Sequence, residues 1–487
     1  MGYDRVMAQR EYDFIVLGGG VAGLAAGYRL CKAGKSVLML EKDKRIGGLA
    51  KTLNINGFLF DYCAHRFHSA NPGVMQEMRD LMGPNFVEHR QKSRIYLFNK
   101  YLKYPFEMQN LLRAMPKIEA VRCAFDFAWN TLIRGFNKRE IKSYADWFEY
   151  FFGKRFYKFM CYPYTRKIWG MDPQYLSADW ANQRFKGPDI PKLIRTVLKK
   201  ICTLNFSSFS LEDEEFLPDS GLFYYPIHGG IQAMPDRFAE EVQKHGGIIH
   251  TGVNVSSISA KTRTVIFEQD GMTQRATANH GLISTIPLHA YTALLEEPVP
   301  AQVTENLRQL RYMDIIFVFL FVDKERISND TWLYFPDKDI AFNRAVEFKN
   351  WSSDMAPPNK TSLCLDITVT PENRHFWGMS EKDLIEKCKQ DCEMLGLCTS
   401  KEVFDFKAVR IPHAYPVYDL EYRPKLDSIL QFIESFEGVY CIGRTGVFRY
   451  NNSDNSIEMG LELGKRLADE PVRGKSMRSY EFSGVSY

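Results

Sequence analysis

The chain has 487 residues, with 63 Lys and Arg against 59 Asp and Glu, a net charge of +4. At about 150 residues per domain this is two to four domains or one interleaved pair, and so small a charge on so long a chain excludes a basic nucleic-acid binder. The 33 glycines and 22 prolines exclude collagen-like and low-complexity chains, which leaves the aromatic share, 14%, as the unusual figure.

The ten cysteines form no C-x-x-C pair. Cys388 and Cys392 share a helix face without a second ligand pair nearby, so no metal site is expected. Scattered reduced thiols point to a cytoplasmic protein. The longest strongly apolar run, Ile315–Val322, suits a buried strand and is too short to cross a bilayer, so no transmembrane segment is expected. No apolar signal core precedes the first strand.

In chain order, Tyr12–Leu17 is a short apolar, β-prone run, followed directly by Gly18-Gly-Gly-Val-Ala-Gly23. Helical character from Leu24 to Ala33 leads to a second buried strand, Ser36–Leu40, that ends in Glu41. Strand, glycine turn, helix, strand and acid form a dinucleotide-binding unit. Gly18 permits the tight turn, Gly20 lets backbone approach a pyrophosphate, and Gly23 lets helix and strand pack closely. The helix start, with Val21 and Ala22, presents free N–H groups and a positive dipole end to phosphates. Glu41 is placed to accept hydrogen bonds from a ribose. Beyond it, Lys42, Arg45, Gly47, Gly48 and Leu49 bring a second backbone stretch against the cofactor, which an NAD domain has no reason to do.

With this segment the chain resembles the amine oxidase-like flavoprotein superfamily, and the resemblance covers nearly its whole length. It implies FAD and an α/β fold in which a Rossmann-type FAD-binding domain is interleaved with a helical cap and a sheet-based substrate domain. FAD-binding segments are expected at 1–100, 235–300 and 431–475, the helical region at 101–234, the substrate sheet at 301–430 and a polar tail at 476–487. Within the resemblance, Val255 belongs to the strand pair whose backbone meets the adenine, and Thr285 to a crossing strand. Gly443 and Arg444 close a buried strand, and Ser456 and Ile457 open a helix that approaches the flavin.

Three stretches are similar to UDP-galactopyranose mutases: His65 to His68, Tyr164 to Trp169 followed by Arg184, and Arg444 to Asp454 with Tyr450. Phe342-Asn-Arg344 is similar to a fourth. The resemblance implies that His65, His68 and Arg444 serve catalysis, and that Tyr164, Trp169, Arg184, Phe342, Arg344 and Tyr450 meet substrate. The chain also departs from the mutases. Met313 stands where they place a phosphate-binding arginine, and Phe342 and Asn451 replace tyrosines, which leaves a diphosphate poorly met. Phe223–Gly230 instead resembles a stretch of protoporphyrinogen oxidase-like proteins.

The leading expectation is an FAD-dependent oxidoreductase moving a hydride from a small organic substrate to flavin N5, with NAD(P)H or another external electron donor or acceptor as partner. The alternatives are a redox-neutral mutase-like isomerase, with reduced FAD as nucleophile on a nucleotide- or lipid-linked sugar, and a non-catalytic binding protein on the same fold. The basic, aromatic stretch Tyr101–Lys167 could lie on a membrane surface, but the acids Glu107, Glu119, Asp126, Glu140 and Asp146 favour a solvated helical region.

Overall fold

The computed structural model describes residues 9–62, 64–104, 114–133, 139–184 and 221–469. Two large sheets organise them. The first has the order β10-β11-β12-β1-β2-β9, with β18 beside β12. Here β1 is Gln9–Leu17, β2 Val37–Glu41, β9 Ile248–Thr251, β10 Asn254–Ser259, β11 Thr264–Gln269, β12 Met272–Ser284 and β18 Val439–Cys441. Its centre, β9-β2-β1-β12-β18, is parallel, and β10-β11-β12 is an antiparallel flap. A parallel centre must be covered on both faces, which is why Phe14–Leu17 and Val37–Leu40 are buried without alternation.

One cover is the first helix, Val21–Lys32, and the last helix, Ser453–Asp469, packs across it. The helices meet where no side chain fits. A Cβ on Gly460 would lie 2.2 Å from the Ala22 carbonyl oxygen, and one on Gly464 2.8 Å from that of Ala26. On its sheet side the first helix is equally tight, since a Cβ on Gly23 would fall 2.4 Å from the Gly18 carbonyl oxygen.

The second sheet has the order β17-β13-β16-β15-β14-β6-β7. Its strands are β6 Ser93–Leu97, β7 Lys100–Tyr104, β13 Arg311–Val322, β14 Trp332–Tyr334, β15 Arg344–Val346, β16 Thr361–Val369 and β17 Val403–Val417. The apolar run of β13 is explained by burial on both faces. Ile315, Phe317, Phe319 and Phe321 pack toward the FAD-type half, while Ile316, Val318, Leu320 and Val322 pack under helix Glu381–Met394.

β6 and β7, expected in the first FAD-binding segment and the helical region, pair into the second sheet beside β14. Their hairpin turns through Phe98 and Asn99, both left-handed at φ 55° and 57°, and β6 pairs in parallel with β14. Likewise β8, Leu222–Pro226, forms an antiparallel ribbon with β5, Phe86–Arg90. A strand recruited from more than 130 residues away leaves no local pattern to read.

Between the sheets lies a helical layer: Tyr144–Phe152, a π-helical turn at Tyr157–Cys161, Tyr162–Trp169 and Ala178–Arg184. Ser143 and Asp146 form a reciprocal capping box at its entry. No described helix is long and apolar enough to cross a membrane.

The helix crossing yields a stability test. Gly460→Ala is expected to destabilise the protein by about 1–3 kcal/mol in urea unfolding, because the added methyl overpacks the crossing. Gly378→Ala, where a Cβ meets nothing within 4 Å, is expected to change stability by less than about 0.5 kcal/mol.

Candidate active site

Two regions adjoin, a backbone cradle and a cavity. The cradle begins at the β1 turn, where Gly18 (φ 100°) has no room for a side chain because a Cβ would sit 2.3 Å from Thr285 Oγ1. Thr285 Oγ1 donates to the Leu17 carbonyl at 3.0 Å and so braces this turn. Gly20 caps the first helix without a side-chain partner, and no acid occupies the first turn, so the positive end at Val21 and Ala22 is left for an anion. Gly47 N donates to the Gly19 carbonyl at 2.7 Å, Gly20 and Gly47 form a bridge, and a Cβ on Gly48 would come 3.3 Å from the Gly20 Cα.

Glu41, at the end of β2, accepts from Gly19 N at 2.6 Å and from Asp43 N at 2.8 Å. Val253 N donates to the Glu41 carbonyl at 3.0 Å, which brings the loop before Val255 alongside. Gly443 stands against Ala22, 3.2 Å from its Cβ if a side chain were added, and Ser456 and Ile457 are buried in the adjoining turn of the last helix. Arg45 donates to the Thr52 carbonyl at 3.0 Å and pins its own loop; Lys42 is exposed and Leu49 half-buried on that loop.

The cavity, about 320 Å³, opens between the second sheet and the helical layer. At its polar end are His65, Arg344 and Arg444. Arg344 Nε donates to Asp366 Oδ2 at 2.6 Å, and Asp366 is fully buried on β16. Arg444 donates from Nη2 and Nε to the Asn451 carbonyl at 2.6 and 2.9 Å, and its guanidinium lies over the rings of Tyr415 and Tyr450, which stack 5.0 Å apart. Arg66, also in the wall, donates to Gln91 Oε1 at 3.1 Å and covers the Trp332 ring. Each arginine lining the cavity is thus already engaged.

His65 Nδ1 is buried and meets no hydrogen-bond partner among the described residues, and the same holds for Trp169 Nε1. Burial, with the Arg444 and Arg344 charges, drives the His65 pKa down to about 3. The ring is therefore neutral at physiological pH and serves as a hydrogen-bonding group rather than a proton reservoir.

From Tyr450 a chain of rings runs through Trp169, Trp180, Tyr144, Phe148 and Phe152 to Phe156, with successive centroids 4.6–6.2 Å apart. Tyr164 joins the wall edge-on to Tyr334.

Other expected site residues stand apart. Phe342, in the loop before β15, is fully buried against Phe335 outside the cavity lining, in the core under helix Glu381–Met394. Only its carbonyl has a polar role, accepting from Lys167 Nζ at 2.7 Å. His68 is half-buried and outside the lining. Arg184 ends its helix, but its side chain lies outside the described residues. In the Phe223–Gly230 stretch, Tyr225 donates to buried Asp61 at 2.6 Å, a core contact.

Two residues absent from the sequence expectations matter: Asp366, signalled only as a lone acid in an apolar strand, and Tyr415, which gave no signal. Lys167 ties helix Tyr162–Trp169 to the loop before β15, donating also to the Phe335 carbonyl at 2.6 Å; burial lowers its pKa to about 7.

The family model described as "Flavin containing amine oxidoreductase" matches residues 21–441. Protoporphyrinogen oxidase 2 of Arabidopsis thaliana is 22% identical over 486 residues, 93% of this chain and 91% of that protein. Prolycopene isomerase of Daucus carota is 23% identical over 424 residues, 78% of this chain and 64% of that protein. Among solved structures, reduced UDP-galactopyranose mutase superposes with a TM-score of 0.78 at 21% identity, covering 94% of this chain and 98% of its own, a likeness of fold.

Two measurements test the site. Glu41→Ala is expected to lower flavin affinity about tenfold or more, about 1.4 kcal/mol, read from flavin retained on dilution. His65, ordinarily titrating near 6.5, has its folded pKa depressed to about 3, so its stabilising contribution is complete above pH 6.5 and is lost as pH falls toward 3. Unfolding stability measured from pH 7 to 4 is expected to fall less steeply in His65→Gln, by a difference on the order of 2–3 kcal/mol.

Proposed function

Because the chain belongs to the flavin-containing amine oxidoreductase family, we propose that it is an FAD-dependent oxidoreductase whose substrate is a small, uncharged and largely apolar organic molecule. FAD is its cofactor, and when bound it supplies a two-electron acceptor, with N5 taking a hydride from substrate carbon and an external acceptor later removing the electrons. The cradle residues fit it. Gly18, Gly20, Gly47 and Gly48 leave a surface without side chains, Glu41 offers a carboxylate at the end of β2, and the first helix offers its N-terminus.

The observation that carries the substrate class is the state of the cavity's cations. Arg66, Arg344 and Arg444 line it, and each is bound by protein groups. A diphosphate drawing on Arg344 would set its charge beside the fully buried Asp366 carboxylate, a like-charge contact that disfavours it. The aromatic wall instead fits an apolar body. His65 Nδ1 and Trp169 Nε1, both buried, are left to orient a polar group on the substrate. A neutral His65 holds that group; it is too weak a base to take a proton near pH 7. The names of protoporphyrinogen oxidase and prolycopene isomerase agree with a substrate that carries no nucleotide.

Anaerobic mixing of the purified, yellow holoprotein with a panel of uncharged amines, alkenes and cyclic substrates is expected to bleach the flavin band stoichiometrically with the member it accepts. The dithionite-reduced protein is expected not to interconvert UDP-galactopyranose and its furanose form. Redox-neutral turnover of that sugar nucleotide would overturn the oxidoreductase reading.

A further inference from the structure

Helix Lys117–Ile133 presents the largest exposed apolar face in the described chain. Ile118, Val121, Phe125, Trp129 and Leu132 are spaced 3, 4, 4 and 3 residues apart and are 57–72% exposed. At 100° per residue the exposed positions of this helix fall within one arc of about 140°. Lys117 bounds the arc on one edge and Arg122 on the other, and everything between them is apolar, Ala128 included. Seventeen residues make this stripe about 25 Å long.

Two of the acids expected to favour a solvated region, Glu119 and Asp126, lie on this helix outside its exposed arc. Asp126 Oδ2 accepts from Arg155 N at 2.9 Å, and Glu119 pairs with Arg122 at 2.7 Å and with Arg155 at 3.8 Å. The neighbouring turn adds exposed Lys154, Arg155 and Lys158. The face is therefore an apolar band containing Trp and Phe, rimmed by cations, with Glu119 and Asp126 on its flank, outside the exposed arc. We propose that this helix lies flat on an anionic lipid bilayer, with its apolar face among the acyl chains and its basic rim at the headgroups. The charge pattern selects this occupant: a second copy of the chain would bring the same cations against themselves, whereas anionic headgroups complement them.

The position of the helix adds a consequence. Its inward Cys123 packs with Met160, Phe156 and Phe159, and Met160 and Phe156 line the apolar end of the cavity. The docked face thus lies over the end of the cavity farthest from Arg444. Docking does not depend on which reaction the flavin performs, and vesicle binding is measured without turnover.

The test is flotation of the full-length holoprotein with vesicles of phosphatidylcholine containing roughly one-third phosphatidylglycerol, and with phosphatidylcholine alone. Binding to the anionic vesicles is expected to be at least about tenfold stronger than to neutral ones and to weaken in high salt. Phe125→Ser combined with Trp129→Ser is expected to lower binding at least about tenfold at unchanged flavin content and circular dichroism, since both side chains are exposed. Lys117→Glu is expected to weaken binding to the anionic vesicles alone. Failure of the native protein to float, or equal flotation of the double variant, overturns the proposal. So does a native dimer that the double variant converts to monomer without any vesicle binding.

Discussion

The fold turns on the crossing of helices Val21–Lys32 and Ser453–Asp469, where Gly460 and Gly464 lie against the carbonyls of Ala22 and Ala26. Bringing the two backbones this close places the end of the chain beside the turn at its beginning. Gly443 then stands against Ala22, and the segment Arg444–Asn452 reaches the cavity. That segment holds itself: Arg449 N donates to the Arg444 carbonyl at 2.9 Å, and Tyr450 N to Tyr418 Oη at 2.6 Å. Phe448 adopts a left-handed φ of 50° within it, a conformation costly for a bulky residue and maintained by its burial against Tyr312. A site built from residues more than 400 positions apart therefore depends on a contact that only glycine permits.

The second determinant is how buried charge is settled. Arg344 and Asp366 face each other in a low-dielectric interior, where removing either would leave the other stranded. Arg444 is held instead by carbonyl oxygens and two ring faces, which solvate its charge and leave it in place. Together they present His65 with positive charge, which keeps its imidazole neutral. Among the described residues, His65 Nδ1, Trp169 Nε1 and Trp332 Nε1 line the cavity without hydrogen-bond partners.

The strand–turn–helix–strand unit was legible in the sequence because its signals are local: glycines at 18, 20 and 23 and an acid at 41 sit on one stretch of chain. The strand at Ile315–Val322 was equally plain, but its two buried faces emerge only when β16 and β17 flank it. Where partners are remote, legibility ends. Ser93–Tyr104 gave no hint that it would extend a sheet begun at residue 311, and Phe342 was read by motif although the loop before β15 places it in the core. Asp366 was invisible because an acid in an apolar strand acquires meaning only beside Arg344. For the acids of helix Lys117–Ile133 the number was readable, but their pairing with the Lys154–Lys158 turn was not.

The central claim, that the cavity beside the flavin takes an uncharged apolar molecule because its arginines are already bound, is tested most directly by ligand-induced change in the flavin spectrum. Titration of the oxidised holoprotein with an uncharged aromatic ligand is expected to shift the flavin band saturably, with UDP leaving the band unchanged and failing to compete. Saturable binding of UDP that displaces the aromatic ligand would contradict it.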